Sequence, residues 1–284
     1  METCRSTHDE SPTEYSGIVR LIALEYHDVV ALDAWDSSGF PGVAARPYKI
    51  AAADFEQHLS AIDERVSAAG ERIFDLVASS PGRHVLFTFD DGGSTALTEI
   101  APRLEKHGWA GHFFIPTNFI GARGFLNGPQ LCELQDRGHV IGTHSCSHPL
   151  RMSQISEEAL VREWTESVAE LSAILGKSVR VGSVPGGAMS RAVAIAAAGA
   201  GISALFTSEP VVRTWKVDGC TVLGRFTVRN STPADVVAKA VSGHAMPWLR
   251  QWTRWNALKV AKRLGGPAYL LARKWLLDRR AHYT

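Results

Sequence analysis

The chain has 284 residues, a formal net charge of +1 and 45% hydrophobic residues, a size and balance that suit one large globular domain or one domain with an appendage. The near-neutral total gives no charge-based argument for a nucleic-acid partner. Cys4, Cys132, Cys146 and Cys220 form neither a CxxC pair nor a dense framework, so reduced thiols in a cytosolic protein are expected.

Residues 1–17 are polar and acidic and lack the apolar centre of a secretory signal; a disordered arm is expected there. No run reaches the ~18 apolar residues of a membrane-spanning helix. The expectation is a cytoplasmic protein that spans nothing.

From residue 18 onward, apolar runs rich in β-branched and aromatic residues alternate with helical patterns. The strand-like runs are 18–27, 84–89, 111–116, 139–144, 179–185, 202–208 and 220–228. The linker FEQHLSAIDERVSAAGERIFDLV reads as one or two helices. STALTEIAPRLEKHG opens at Ser94 as N-cap and stops at Gly108. GPQLCELQDRG ends at Gly138. SQISEEALVREWTESVAELSAILG carries a cap at Ser153 or Ser156 and acids in its first turn. SRAVAIAAAGAG is rich in small residues that allow close packing on a sheet. The alternation predicts an α/β fold, an incomplete or distorted (β/α)7 barrel over residues 18–244.

Barrel enzymes collect their chemistry at the carboxyl ends of the strands. Asp90 and Asp91 end the second run, His144 ends the fourth with His148 four residues on, and Ser183–Gly187 ends the fifth. Two imidazoles at i and i+4 reach one ion, and two His with one carboxylate leave positions open for water and substrate. One aspartate would serve as ligand, its charge offset by the cation, and the other as base. The residues alone leave open which aspartate takes which part.

TFDDG, GTHSCSH and VPGG resemble the first three motifs of the polysaccharide deacetylase family (NodB homology, carbohydrate esterase 4). GHFFIPTNFIG and LQDRGHVIGTH resemble its connecting segments. YHDV at 26–29 resembles the first strand of deacetylases linked to exopolysaccharide synthesis, and the likeness covers roughly residues 18–209. The resemblance implies a NodB-like barrel. It implies Asp90 as general base and Asp91, His144 and His148 as ligands of a divalent metal, usually zinc. Gly186, beside Pro185, matches the residue whose backbone N–H supports the oxyanion.

The sequence departs from the family pattern in three places. Ser183 stands where an arginine orienting the base is usual. No tryptophan-bearing fourth motif is evident, with Trp215 a distant candidate. The fifth motif's histidine acid has only His244, in VSGHAMP, as a counterpart. His27 ends the first run and is a candidate substrate contact, with Asp28 beside it. His58 reads as a helix residue and Cys146 as a packing residue.

Residues 245–284 form a second composition class, a basic C-terminal helical tail. They hold nine Lys/Arg against one Asp, a net of +8 that leaves −7 for the rest, and four of the eight tryptophans. The tail reads as two helices split at Gly265–Pro267. Trp248, Trp252, Trp255, Leu258 and Val260 give an apolar side, so the tail either caps the barrel or meets an anionic inner-leaflet membrane peripherally. No recognised nucleic-acid module accompanies the charge, so no nucleic acid is expected.

The expected activity is metal-dependent removal of an N-acetyl group from an amino sugar in a glycan or glycoconjugate precursor. The alternatives are a deformylase or deacetylase of a lipid-linked amino sugar, an O-acetyl esterase, a hydrolase of a small non-sugar amide, or a non-catalytic glycan-binding relative.

Overall fold

A computed structural model describes residues 19–66, 69–76 and 82–259. The expected arm at 1–17 and the tail beyond 259, with its expected break at Gly265–Pro267, lie outside the described residues.

In chain order the elements are β1 (Val19–Tyr26), β2 (Asp28–Val30), β3 (Lys49–Ala51), α1 (Ala52–Asp63), β4 (Gly82–Phe89), α2 (Ala101–Lys106), β5 (Gly111–Ile115) and α3 (Gly128–Asp136). There follow β6 (Val140–Thr143), α4 (Glu157–Leu175), β7 (Val181–Ser183), α5 (Arg191–Gly199), β8 (Ala204–Phe206), β9 (Thr214–Val217), β10 (Cys220–Leu223), β11 (Arg225–Thr227) and α6 (Ala234–Val241). A last helix, α7, covers residues 245–259.

The main sheet runs β11-β1-β4-β5-β6-β7-β8-β10-β9, parallel throughout except for the β10–β9 pair. Its two ends meet in the chain. β10 ends at Leu223 against β8, and β11 starts at Arg225 against β1. One strand, bent at Gly224, therefore touches both sides and brings seven parallel strands back on themselves. The bend needs glycine, because a Cβ there would lie 2.4 Å from the carbonyl oxygens of Glu209 and Val211. All seven strand-like runs of the sequence correspond to members of this ring. The distortion of the (β/α)7 barrel lies at the seam.

Side-chain alternation places the chemistry. In β4, Val85, Phe87 and Phe89 join the outer core with Phe55, Leu59, Leu104 and Val237 from the surrounding helices. Leu86 faces the other way and packs with Ala23, Phe114, Val181, Ala204, Phe206 and Leu223 inside the barrel. Two and four residues on, Thr88 and Asp90 share that inward register. The same parity turns Glu25, Ser183 and Arg225 inward above the apolar layer.

Several local expectations change. The linker holds one helix, α1, and residues 69–76 are non-helical. Ser94 is not the cap of its helix; a π-turn at Ala96–Ile100 follows Thr95 and leads into α2, whose Pro102 cannot donate a backbone hydrogen bond. Ser156, rather than Ser153, caps α4 by accepting from Ala159 N. The small sheet β2-β3 and the edge strand β9, only three or four residues per strand, are absent from the sequence reading.

The base of the barrel holds an acid-sensitive group. His112 is fully buried; its Nε2 accepts the Ile73 N–H at 3.0 Å and its Nδ1 faces the Phe87 carbonyl at 3.0 Å. That pattern requires the neutral ring. Burial pushes its pKa down from 6.5 to about 4. The unfolded chain thus takes the proton first as pH falls, and the stability from neutral His112 is complete above about 6.5 and lost toward about 4. The expected loss is roughly 3 kcal/mol. Urea titrations from neutral to acid pH should show it, and His112→Gln should flatten that part of the profile.

Candidate active site

Asp90 and Asp91 leave β4 in different directions. Asp90 N donates to Tyr26 O, which keeps the strand register, and its side chain is buried in the barrel. Asp91 has φ 74 and Gly92 φ 65, so the chain turns sharply after Asp90. A left-handed aspartate is strained, and among the described residues five non-glycine residues have positive φ: Asp33, Asp91, Ser145, His148 and Asp218. Asp91 and His148 belong to one cluster, and Ser145 to the loop between its histidines, the kind of place where strained backbone is held for function.

That cluster is Asp91, His144 and His148, whose ligand atoms lie within 4.8 Å of one another. Asp91 Oδ1 stands 3.6 Å from His144 Nε2 and 3.2 Å from His148 Nε2, and it is buried without a hydrogen-bond partner. His144 Nδ1 is tied to the Ser183 carbonyl at 2.9 Å, which turns Nε2 toward Asp91. An orphaned carboxylate oxygen facing two ring nitrogens fits a divalent cation between them, and the nitrogen-oxygen donor set suits zinc and its neighbours. Burial pushes the pKa of His144 down to about 4, so it stands neutral and ready to ligate. Burial also opposes ionisation of Asp91, but His148, His27 and His144 more than offset it and lower its pKa. For His148 burial works downward, and Asp91 beside it prevails and raises its pKa.

The ligand loop is clamped from α4. Glu163 Oε2 accepts from Cys146 N at 2.8 Å and Ser147 N at 2.9 Å, and Oε1 accepts from Ser147 Oγ at 2.5 Å. Ser145 Oγ accepts from His148 N at 3.2 Å. Cys146 is buried and donates to Glu163 O, in keeping with a packing role.

Sequence reasoning missed the residue that holds Asp90. Arg225, fully buried, donates from Nη1 to Asp90 Oδ1 at 2.8 Å and from Nη2 to Asp90 Oδ2 at 2.7 Å. It also donates to Ser183 Oγ at 2.9 Å, Thr88 Oγ1 at 3.0 Å and Thr207 O at 3.2 Å. Ser183 Oγ in turn donates to Asp90 Oδ2 at 3.2 Å. The orienting arginine thus stands on β11, and position 183 carries a hydroxyl that links it to the aspartate. Burial would raise the Asp90 pKa, but the Arg225 guanidinium, with His144 beside it, outweighs burial and holds the carboxyl well below the usual carboxylate range.

Glu25, His27 and Asp90 form a second close group. A cation is not needed there, because Arg225 already bonds Asp90 and lies 3.7 Å from Glu25. Ser208 and Thr227 hydroxyls donate to Glu25 at 3.0 Å each. The His27 ring lies 4.7 Å from the Tyr48 ring, tilted by 37°, and its Nδ1 is buried without a hydrogen-bond partner. His27 thus stands beside two carboxylates, Glu25 and Asp90.

The Pro185–Gly187 turn follows β7, with Gly186 exposed at φ 61 and Pro185 buried beneath it. α7 reaches this end of the barrel. Gln251 pairs with the Thr227 backbone in both directions at 2.9 and 2.8 Å. A Cβ on Gly187 would lie 2.8 Å from the Trp255 ring. Residues 245–259, the described part of the tail, thus pack against the barrel beside the Pro185–Gly187 turn.

Other expected positions lie elsewhere. His244 is exposed after α6, and neighbouring Gly243 lies against Arg83 near the start of β4, the end opposite Asp90. It therefore stands away from Asp90 and from the Asp91–His144–His148 cluster. Trp215 sits on edge strand β9 and packs behind the sheet. His58 is a buried helix residue bonded to Thr232 O at 2.9 Å. Asp28 pairs with buried Lys49 at 3.2 Å and holds Ser38 and Thr95, a structural role.

Residues 78–205 match the family profile described as Polysaccharide deacetylase. Among curated proteins, the chain is similar to the peptidoglycan-N-acetylglucosamine deacetylase PgdA of Listeria monocytogenes, with 24% identity over 100 residues, 35% of this chain and 21% of that protein. It is also similar to the peptidoglycan-N-acetylmuramic acid deacetylase PdaA of Bacillus subtilis, with 31% identity over 88 residues, 30% of this chain and 31% of that one. The chain thus spans about a fifth to a third of these relatives' length. Among solved structures, Streptococcus pyogenes deacetylase PplD in complex with acetate superposes with TM-score 0.65 at 16% identity, covering 78% of this chain and 98% of that chain. IcaB from Ammonifex degensii gives TM-score 0.65 at 22% identity, covering 80% and 99%. These two likenesses establish the shared fold.

Two variants test the geometry. Arg225→Met should leave Asp90 buried without its counter-charge and destabilise the fold by about 3–5 kcal/mol. Adding Asp90→Asn should recover part of that loss in urea unfolding, and equal losses would mean that the pair is not coupled. Glu163→Ala should weaken divalent-metal affinity about 10–100-fold by chelator competition, as expected when the partner that orients a ligand is lost. An unchanged affinity would mean that the 144–148 loop supports itself.

Proposed function

We propose that this chain, which carries a polysaccharide deacetylase domain at residues 78–205, is a metal-dependent hydrolase that removes the N-acetyl group from an amino sugar. The observation that carries this reading is the convergence of Asp91, His144 and His148 beside an Asp90 held by Arg225. The relatives named as N-acetylglucosamine and N-acetylmuramic acid deacetylases support an acetylated amino sugar as substrate class. The donor set favours zinc.

Asp91, His144 and His148 would hold the ion, which when bound polarises the acyl carbonyl and lowers the pKa of a water. Asp90 accepts the proton of the attacking water. Its two oxygens are oriented by Arg225, so the carboxylate stays ionised and does not swing toward the ion. Gly186, exposed in its turn, offers backbone to the developing oxyanion. His27 gives its proton to the leaving amine, a role supported by its place beside Glu25 and Asp90. The amide C–N bond breaks, and acetate and a free amino sugar result. Free thiols at Cys132, Cys146 and Cys220 fit action in a reducing compartment such as the cytoplasm.

Asp90→Asn should retain one divalent ion per chain and lose about 10²–10⁴-fold in amine release from an acetylated amino sugar. His27→Ala should fall in the same range with its metal retained, whereas His144→Ala should lose the metal. Acetate release by Asp90→Asn at the wild-type rate would remove Asp90 from the mechanism.

A further inference from the structure

The exposed apolar side chains of the described residues are unevenly placed. Three stand on loops at the carboxyl end of the barrel: Leu32 at 75% exposure after β2, Leu150 at 81% just beyond His148, and Val212 at 52% between β8 and β9. Trp252 at 44% and Leu258 at 36% stand on the part of α7 that reaches the same rim. Met246 and Leu249 lie farther back along that helix, and only Phe74 and Val161 lie on other elements. Gathered exposed hydrophobes of this kind mark interaction surfaces, membrane contacts or ligand-binding grooves.

Charge accompanies most of these residues. Leu150 is followed by exposed Arg151, Val212 by exposed Arg213, and Trp252 by exposed Arg254 two residues on. Residues 245–259 contain Arg250, Arg254 and Lys259 and no acid. At 3.6 residues per turn, Trp248, Gln251 and Trp255 fall on the engaged side of α7. Arg250 and Arg254 flank the free side. Residues 260–284 of the sequence add six more Lys/Arg against one Asp. The Leu32 loop differs, with Asp33 and Asp36 beside its leucine. Apolar and tryptophan side chains among arginines match the interface of a membrane whose headgroups are negative.

We infer that the catalytic rim, formed by Leu32, Leu150, Val212 and the end of α7, seats on an anionic lipid bilayer. The site mouth then opens onto the headgroup layer. Resting on the deacetylase reading, this narrows the substrate to an acetylated amino sugar carried by a lipid at that surface.

The test is sedimentation of the full chain with phosphatidylcholine vesicles, with and without phosphatidylglycerol, in the absence of substrate. The protein should pellet with the anionic vesicles and stay in solution with the neutral ones. Arg213→Ala with Arg254→Ala should lower partitioning about 30-fold, from about 1 kcal/mol per basic residue near an anionic surface. Val212→Ser with Trp252→Ser should also lower it, and both pairs should keep wild-type turnover of a soluble acetylated amino sugar. Equal pelleting with both vesicle types, no pelleting, or pairs that bind like wild type would overturn the inference. So would a concentration-dependent dimer without lipid that Val212→Ser/Trp252→Ser abolishes, since the rim would then be a contact between copies. Binding is read without turnover, so the docking surface and the deacetylase reading stand or fall separately.

Discussion

Arg225 against Asp90 is the contact on which the fold and the site both depend. A buried guanidinium costs several kcal/mol unless its charge and donors are matched. Here all five N–H donors find acceptors: two on Asp90 and one each on Ser183, Thr88 and Thr207. Glu25 lies close by as a second negative charge. The cost is therefore offset only when β1, β4, β7, the end of β8 and the bent strand β10–β11 stand in their native places. The arginine verifies barrel closure from the inside.

The metal cluster depends on local strain rather than on buried charge. Asp91, Ser145 and His148 hold left-handed backbone that a free peptide would not choose. The turn after Asp90 is covered by contacts such as Leu126 N to Gly92 O at 3.0 Å. The 144–148 loop is tied to Glu163 on α4 and, through Thr117 N and Asn118 N at 3.1 Å each, to the loop after β5. Rigid neighbours thus set the ligand positions, which is what a site needs if it is to bind an ion without first reorganising.

The sequence made the ring of strands legible because each is a short β-branched or aromatic run closed by Gly, Pro or a polar residue. Asp90, Asp91, His144 and His148 were legible because strand ends gather at one face of a barrel. Arg225 was not. It lies 135 residues from Asp90, inside a run that reads as an ordinary strand. The available signal was parity: Leu223, Arg225 and Thr227 alternate inward, and a charge in that register must meet an opposite one. His244 misled because a local likeness to a motif says nothing about which end of the barrel a residue occupies. For α7 the sequence left two readings, capping the barrel or meeting a membrane, since composition marks an amphipathic helix but not the surface it leans on.

Ser183 and Arg225 are best understood as one unit. The space above the apolar layer is filled by one guanidinium, two carboxylates and hydroxyls, all hydrogen-bonded. A second arginine at 183 would bring like charge into the same pocket, whereas a serine both accepts from Arg225 and donates to Asp90. The small residue at 183 and the arginine at the seam therefore require each other. Any opening between β11 and β8 would withdraw the counter-charge from Asp90, so that carboxylate is oriented only while the bent strand β10–β11 keeps its place. α7 packs along that seam through Trp248 on Phe226 and Gln251 on Thr227, and so bears directly on the strand that carries Arg225. A surface that engages α7 would thus act on the same element that holds Asp90 in place.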